Sequence, residues 1–115
     1  SCNSCGFKQL NYVVDPKILY QQNYPYESSL TNKVTKHFLE FAQFTIREYK
    51  LNKNDLVVDI GSNTGALLSA FKKNKLKIMG IDPAPNMCKI AIKRGIPTIN
   101  DFFPCINYRS NVCHI

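Results

Sequence analysis

Asp55-Leu56-Val57-Val58-Asp59-Ile60-Gly61-Ser62-Asn63-Thr64-Gly65-Ala66-Leu67-Leu68 is the stretch on which the reading of this chain turns. A short apolar run closes on a carboxylate at Asp59, turns through two glycines four positions apart, and enters an amphipathic segment. That order predicts a buried parallel strand, a tight loop and the start of a helix. Glycine lets the backbone turn sharply and approach a ligand where a Cβ would clash. The helix N-terminus adds free N–H groups and a partial positive charge.

Two classes of nucleotide-binding loop open in this way, and spacing separates them. The dinucleotide fingerprint places glycine at its first, third and sixth positions. Here those positions are Gly61, Asn63 and Ala66, so only the first fits. An acid two residues before a G-x-x-x-G loop suits S-adenosylmethionine (SAM), which carries an amino acid where NAD carries pyrophosphate. Asp59 is expected to face that end, directly or through water. Lys77-Ile78-Met79-Gly80-Ile81-Asp82 then predicts a second strand ending on a carboxylate 23 residues after Asp59. An acid at the end of the second strand is placed to accept both ribose hydroxyls. Pro83-Ala84-Pro85 opens a helix over Asn86 to Arg94, with Gly95 as its stop. A third strand around Thr98-Ile99 leads to Asn100-Asp101-Phe102-Phe103, where a carboxylate beside an aromatic ring suits adenine. The competing reading makes Asp59 and Asp82 ordinary helix-capping acids, and Asp101 part of an Asn-Asp turn.

Length and composition bound the answer. With 115 residues, 44% of them hydrophobic, the chain has at most one domain and a modest core. No run approaches the ~18 apolar residues that cross a bilayer, and no signal-peptide pattern appears. A cytoplasmic location with no membrane partner is expected. The net charge is +7, densest at Lys72, Lys73, Lys75 and Lys77. Without interleaved aromatics these lysines read as a solvated face, and nucleic acid is not an expected partner. The chain opens at Ser1 and its only methionines are Met79 and Met87, so a piece of a longer polypeptide is expected.

The five cysteines form no disulfide framework. Cys2-Asn3-Ser4-Cys5-Gly6 reads as half of a zinc knuckle, two thiolates joined by a tight turn, whereas a closed structural site takes four ligands. A redox C-x-x-C would open a helix. Gly6 and the strand-like Leu10-Asn11-Tyr12-Val13-Val14 argue against one here. Cys88 reads as packing; Cys105, Cys113 and His114 are metal ligands by composition only. Asp15 to Tyr20 begins a short helix, and 23–29 is a polar, aromatic linker. A long helix capped near Thr31 or Asn32 follows. Its stripe of Val34, Phe38, Phe41, Ala42, Thr45 and Tyr49 is expected to cover the sheet, leaving His37 exposed.

In this order the segments resemble the SAM-dependent C-methyltransferases of deoxysugar biosynthesis, which join a small zinc domain to a Rossmann-like class I methyltransferase domain. The resemblance runs from Cys2 to about Pro104. It rests on Cys2-x-x-Cys5-Gly6, Val14-Asp15-Pro16, Tyr24-Pro25-Tyr26-x-Ser28-Ser29, Asp59-Ile60-Gly61-Ser62-Asn63-x-Gly65, Asp82-Pro83-Ala84 and Gly95-Ile96-Pro97-Thr98-x-Asn100-Asp101-Phe102-Phe103. It implies an α/β fold: 1–14 is the remnant of the zinc domain, 15–31 a linker, 32–104 the N-terminal half of the SAM-binding domain, and 105–115 an atypical tail. By resemblance Cys2 and Cys5 are zinc ligands. Asp59, Gly61, Ser62, Asn63 and Gly65 form the SAM loop, Asp82 holds the ribose, and Asp101 with Phe102 surrounds adenine. Tyr26, Ser28 and Ser29 reach over the site as a lid. The implied substrate is a keto-deoxysugar nucleotide.

This chain departs from the family at both ends. The first cysteine pair, the fourth strand and the His- and Tyr-bearing catalytic segment are all absent. No catalytic residue is therefore assigned, the chain by itself is expected to be inactive, and its third strand is expected at an open sheet edge. The alternatives are a methyltransferase acting on RNA or another substrate, and a non-catalytic SAM-binding or partner-binding module.

Overall fold

The computed structural model describes residues 2–8, 10, 12–21, 24–25 and 31–104. After a short helix α1 (Pro16–Tyr20) and a long helix α2 (Asn32–Glu48), the chain alternates strand and helix. The order is β1 (Leu56–Ile60), α3 (Ala66–Lys73), β2 (Lys77–Asp82), α4 (Pro85–Lys93) and β3 (Thr98–Asn100). Helix starts follow local chemistry. Asp15 caps α1 by accepting the Lys17 N–H at 2.9 Å, and Thr31 Oγ1 caps α2 by accepting that of Val34 at 3.3 Å. Pro85 opens α4, where its missing N–H costs nothing.

The three strands are parallel in the order β1-β2-β3. In register, Asp59 lies beside Gly80 and Gly80 beside Thr98. Helices α3 and α4 pack on the face of the sheet that carries Val57 and Ile78. There Leu68, Ala70, Phe71, Ala91 and Ile96 form the core. Leu68 is fully buried, so its truncation to alanine would cost about 2–5 kcal/mol. The result is a small α/β unit with the right-handed β-α-β-α-β pattern of a Rossmann-like fragment.

Two expectations need correction. Residues 10 and 12–14 form no strand, and Leu10, Tyr12 and Val13 stand exposed. On α2, Ala42 is buried and Phe38, Leu39 and Ile46 pack against the core, while Phe41 and Tyr49 face solvent. The buried stripe is rotated because α2 packs on α3 rather than spreading over the sheet. Strand β3 lies at a sheet edge, as expected, and β1 forms the opposite edge, where Leu56 and Ile60 are exposed. In doubly wound sheets further strands add beside the first strand.

Candidate functional site

The carboxyl ends of β1, β2 and β3 meet in one cavity of about 640 Å³, a volume suited to a nucleoside-sized ligand. Its floor is the turn after β1. Gly61 and Ser62 donate backbone N–H groups to Ile81 O at 2.8 and 3.2 Å, tying the turn to β2. Asn63 N–H donates to Asp82 Oδ2 at 2.7 Å, and Ala84 N–H to Asp82 Oδ1 at 2.8 Å. Asp82 is thus buried and engaged through both oxygens while still facing the cavity. Further hydrogen bonds to a ligand would use its remaining lone pairs.

Asp59 lies half-buried at the end of β1 and lines the same cavity. Burial, and secondarily the nearby Asp82 carboxylate, push its pKa above the usual carboxylate range. Asp101 follows β3, its N–H bonded to Asp82 O at 3.1 Å and its Oδ1 accepting the Phe102 N–H at 2.7 Å. Phe102 and Phe103 form one apolar wall, Tyr20, Tyr24 and Phe38 another. Three carboxylates and no Lys, Arg or His line the cavity among the described residues.

Of the residues singled out in the sequence, Asp59, Gly61, Ser62, Asn63, Asp82, Asp101 and Phe102 all line this cavity. Gly65 does not. It is buried at the N-cap of α3 with φ +73°, and a Cβ there would lie 2.9 Å from both Cγ atoms of Ile96. Its smallness lets the start of α3 pack against Ile96, in the segment leading into β3. Tyr26, Ser28 and Ser29 lie outside the described residues, as do Cys105, Cys113 and His114. His37 is exposed on α2, away from the cavity lining.

Sequence reasoning did not single out Tyr20, Phe38, Leu67 or Phe103 as lining residues. Tyr24 was visible only as part of an aromatic linker. What brings it here is a bond between segments far apart in sequence: Asn86 Nδ2 donates to Tyr24 O at 2.8 Å. Tyr20 then stacks obliquely on Tyr24, ring centroids 5.5 Å apart. Cys88 is buried in α4; its thiol donates to Asp82 O at 3.2 Å and its pKa is pushed up to about 11, mainly by burial. It packs beneath the site and presents no thiolate. Lys72 and Lys73 occupy the last turn of α3, the end remote from the cavity, and Lys72 Nζ donates to Gly95 O at 2.7 Å.

Cys2 and Cys5 are exposed in a tight turn closed by Gly6 N–H to Cys2 O at 2.9 Å. Backbone N–H groups of Cys5 and Ser4, then the Cys5 thiol, lower the Cys2 pKa, as suits a thiolate ligand. No group of three or more metal-binding side chains occurs among the described residues. Nor is any described helix long and apolar enough to cross a membrane.

No protein-family model matches the sequence. The chain is 34% identical over 98 residues to the C-methyltransferase NovU of Streptomyces niveus, a match covering 85% of this chain and 23% of that protein. It is therefore related to a C-methyltransferase and spans about a quarter of that relative's length.

Proposed function

We propose that this chain is the SAM-binding portion of a C-methyltransferase. The observation that carries the reading is the charge of the cavity. Among the described residues, a +7 chain places three carboxylates and no cation around its glycine-rich turn. A pyrophosphate would be repelled there, whereas the ammonium and sulfonium of SAM, with its ribose diol, match the acids.

SAM supplies an activated methyl group on a sulfonium; the residues of this chain hold it. Asp59 faces the amino-acid end, the Gly61–Asn63 turn runs beneath it, Asp82 receives the ribose hydroxyls, and Asp101 with Phe102 encloses adenine. The aromatic wall of Tyr20, Tyr24 and Phe38 excludes water and offers ring faces to the sulfonium. Such a site contributes orientation and electrostatics to methyl transfer. With the three carboxylates given to the cofactor, none of the described lining acids is left to remove a proton from a substrate carbon. In this reading residues 1–115 alone bind SAM without turnover. In this reading the acceptor is a keto-deoxysugar nucleotide, Tyr26, Ser28 and Ser29 cover the site, and zinc binds Cys2 and Cys5 with two further ligands supplied from elsewhere.

Calorimetric titration tests the first step. SAM is expected to bind one per chain and NAD not to bind. A preference for NAD, or no heat with SAM, would overturn the reading. Incubation with radiolabelled methyl-SAM and a panel of keto-deoxysugar nucleotides tests the acceptor. Labelling of RNA instead would redirect it.

A further inference from the structure

We propose that Gly80, which does not itself line the cavity, is the positioning residue of the cofactor turn. By carrying no side chain it leaves the seat on β2 in which Ser62 rests. Its effect on cofactor affinity rests on the function proposed above; its effect on the turn does not.

Glycine weakens a strand interior, so its presence in the central strand calls for a reason. Backbone conformation is not that reason, since Gly80 sits within β2 and lies outside the positive-φ glycines. Space is. A Cβ built on Gly80 would lie 2.5 Å from Ser62 Oγ, 3.1 Å from Ser62 Cβ and 3.1 Å from Thr98 Oγ1. Turning the Ser62 hydroxyl about χ1 would relieve only the first contact. The Ser62 Cβ moves only with the backbone, and Thr98 Oγ1 is held by its bond to Ile96 O at 3.0 Å. A methyl at Gly80 would therefore wedge between the turn and β3.

The turn has little freedom to yield. Its Gly61 and Ser62 N–H groups are tied to Ile81 O, and its Asn63 N–H to Asp82 Oδ2. Lifting Ser62 stretches all three bonds and moves the N–H groups that floor the cavity. Ser62 is not fastened there by its hydroxyl, which is buried without a hydrogen-bond partner among the described residues. It is seated by shape, and the shape is the bare Cα of Gly80.

The test is a double-mutant cycle of Gly80→Ala and Ser62→Gly, read by amide exchange at Asn63 and by SAM titration. Gly80→Ala is expected to speed Asn63 exchange and weaken SAM binding, each by about tenfold or more, the loss of one hydrogen bond to a carboxylate. Exchange at Leu68 in α3 should stay unchanged, separating displacement of the turn from general loosening. In the Ser62→Gly background, Gly80→Ala should change either quantity by no more than about twofold, because its contact with the turn is already gone and only that with Thr98 on β3 remains. Equal losses in both backgrounds, or no effect of Gly80→Ala alone, would overturn the proposal. If Gly80→Ala does not fold, recovery of folding on adding Ser62→Gly supports it and failure to recover refutes it. Should the parent protein not bind SAM, the exchange measurements still decide the role of Gly80, and only the proposed ligand is lost.

Discussion

Asn63 and Asp82, 19 residues apart, are joined by a 2.7 Å hydrogen bond from the Asn63 N–H to Asp82 Oδ2. The other oxygen of that carboxylate holds the N–H of Ala84 at 2.8 Å. One buried acid thus fastens the turn after β1 to the turn after β2, and the cavity lies over both. The acid proposed to bind the ligand and the structural clamp are here the same residue.

Removing that clamp affects more than a ligand contact. Asp82→Ala leaves two backbone donors without acceptors and is expected to cost roughly 2–4 kcal/mol of stability, as well as SAM affinity. Asp82→Asn retains one acceptor and should lose less of both. Thermal melting beside calorimetric titration checks this. An Asp82→Ala protein that melts with its parent would show that the clamp does not matter.

At Asp59 the two properties should move in opposite directions. Its folded pKa is raised, so its ionised form opposes folding. Unliganded stability from this group is full below the ordinary carboxylate pKa and is lost as pH rises through the raised folded value. Asp59→Asn should therefore be at least as stable as the parent at neutral pH. It should bind SAM about tenfold more weakly or worse, having lost its charge toward the ammonium. Affinity in the parent should fall as acidification protonates Asp59. Melting and titration across a pH series would expose a variant that loses stability or keeps full affinity, and either result contradicts this account.

Gly65 gives the converse case. Alanine there meets both a positive φ and the Ile96 side chain, so Gly65→Ala is expected to destabilise by about 1–3 kcal/mol. Because Gly65 does not line the cavity, SAM affinity of the folded protein should change little. Denaturant unfolding measures the first and titration at low temperature the second. A large loss of affinity with unchanged stability would return Gly65 to the ligand.

The Ser62 hydroxyl is buried without a partner among the described residues. Its removal in Ser62→Ala forfeits no hydrogen bond, and the unliganded protein should be as stable as the parent or more so, by up to about 1–2 kcal/mol. A destabilised variant in chemical denaturation would mean that the hydroxyl is bonded after all.

For metal, Cys2 and Cys5 supply two thiolates where zinc takes four ligands. Zinc should bind weakly, or be shared between two chains, and Cys2→Ser should abolish it. Native mass spectrometry and elemental analysis distinguish these outcomes. One firmly held zinc per monomer would bring Cys105, Cys113 or His114 into the site.

Much of the site was legible in the sequence because its acids sit at the ends of local patterns. Asp59 and Asp82 each close an apolar strand, and parallel strands joined by right-handed crossovers place those ends side by side without further information. Helix starts at Thr31 and Pro85 were legible for the same reason, since caps act over three or four residues. The rotation of α2 was not. Phe41 and Phe38 both fit an apolar stripe, and only the docking of α2 on α3 determines which is covered.

The sequence by itself determined the order of strand, turn and helix and the acid at the end of each strand, because both follow from residues adjacent in the chain. Tertiary structure decided what each small or polar residue is for. Gly65 meets Ile96, Gly80 meets Ser62, Asp82 meets Asn63, and Tyr24 meets Asn86, each across a separation at which local propensity carries no information. A missing side chain has a function only when something else occupies its place, and that occupant is named by the packing of the folded chain alone.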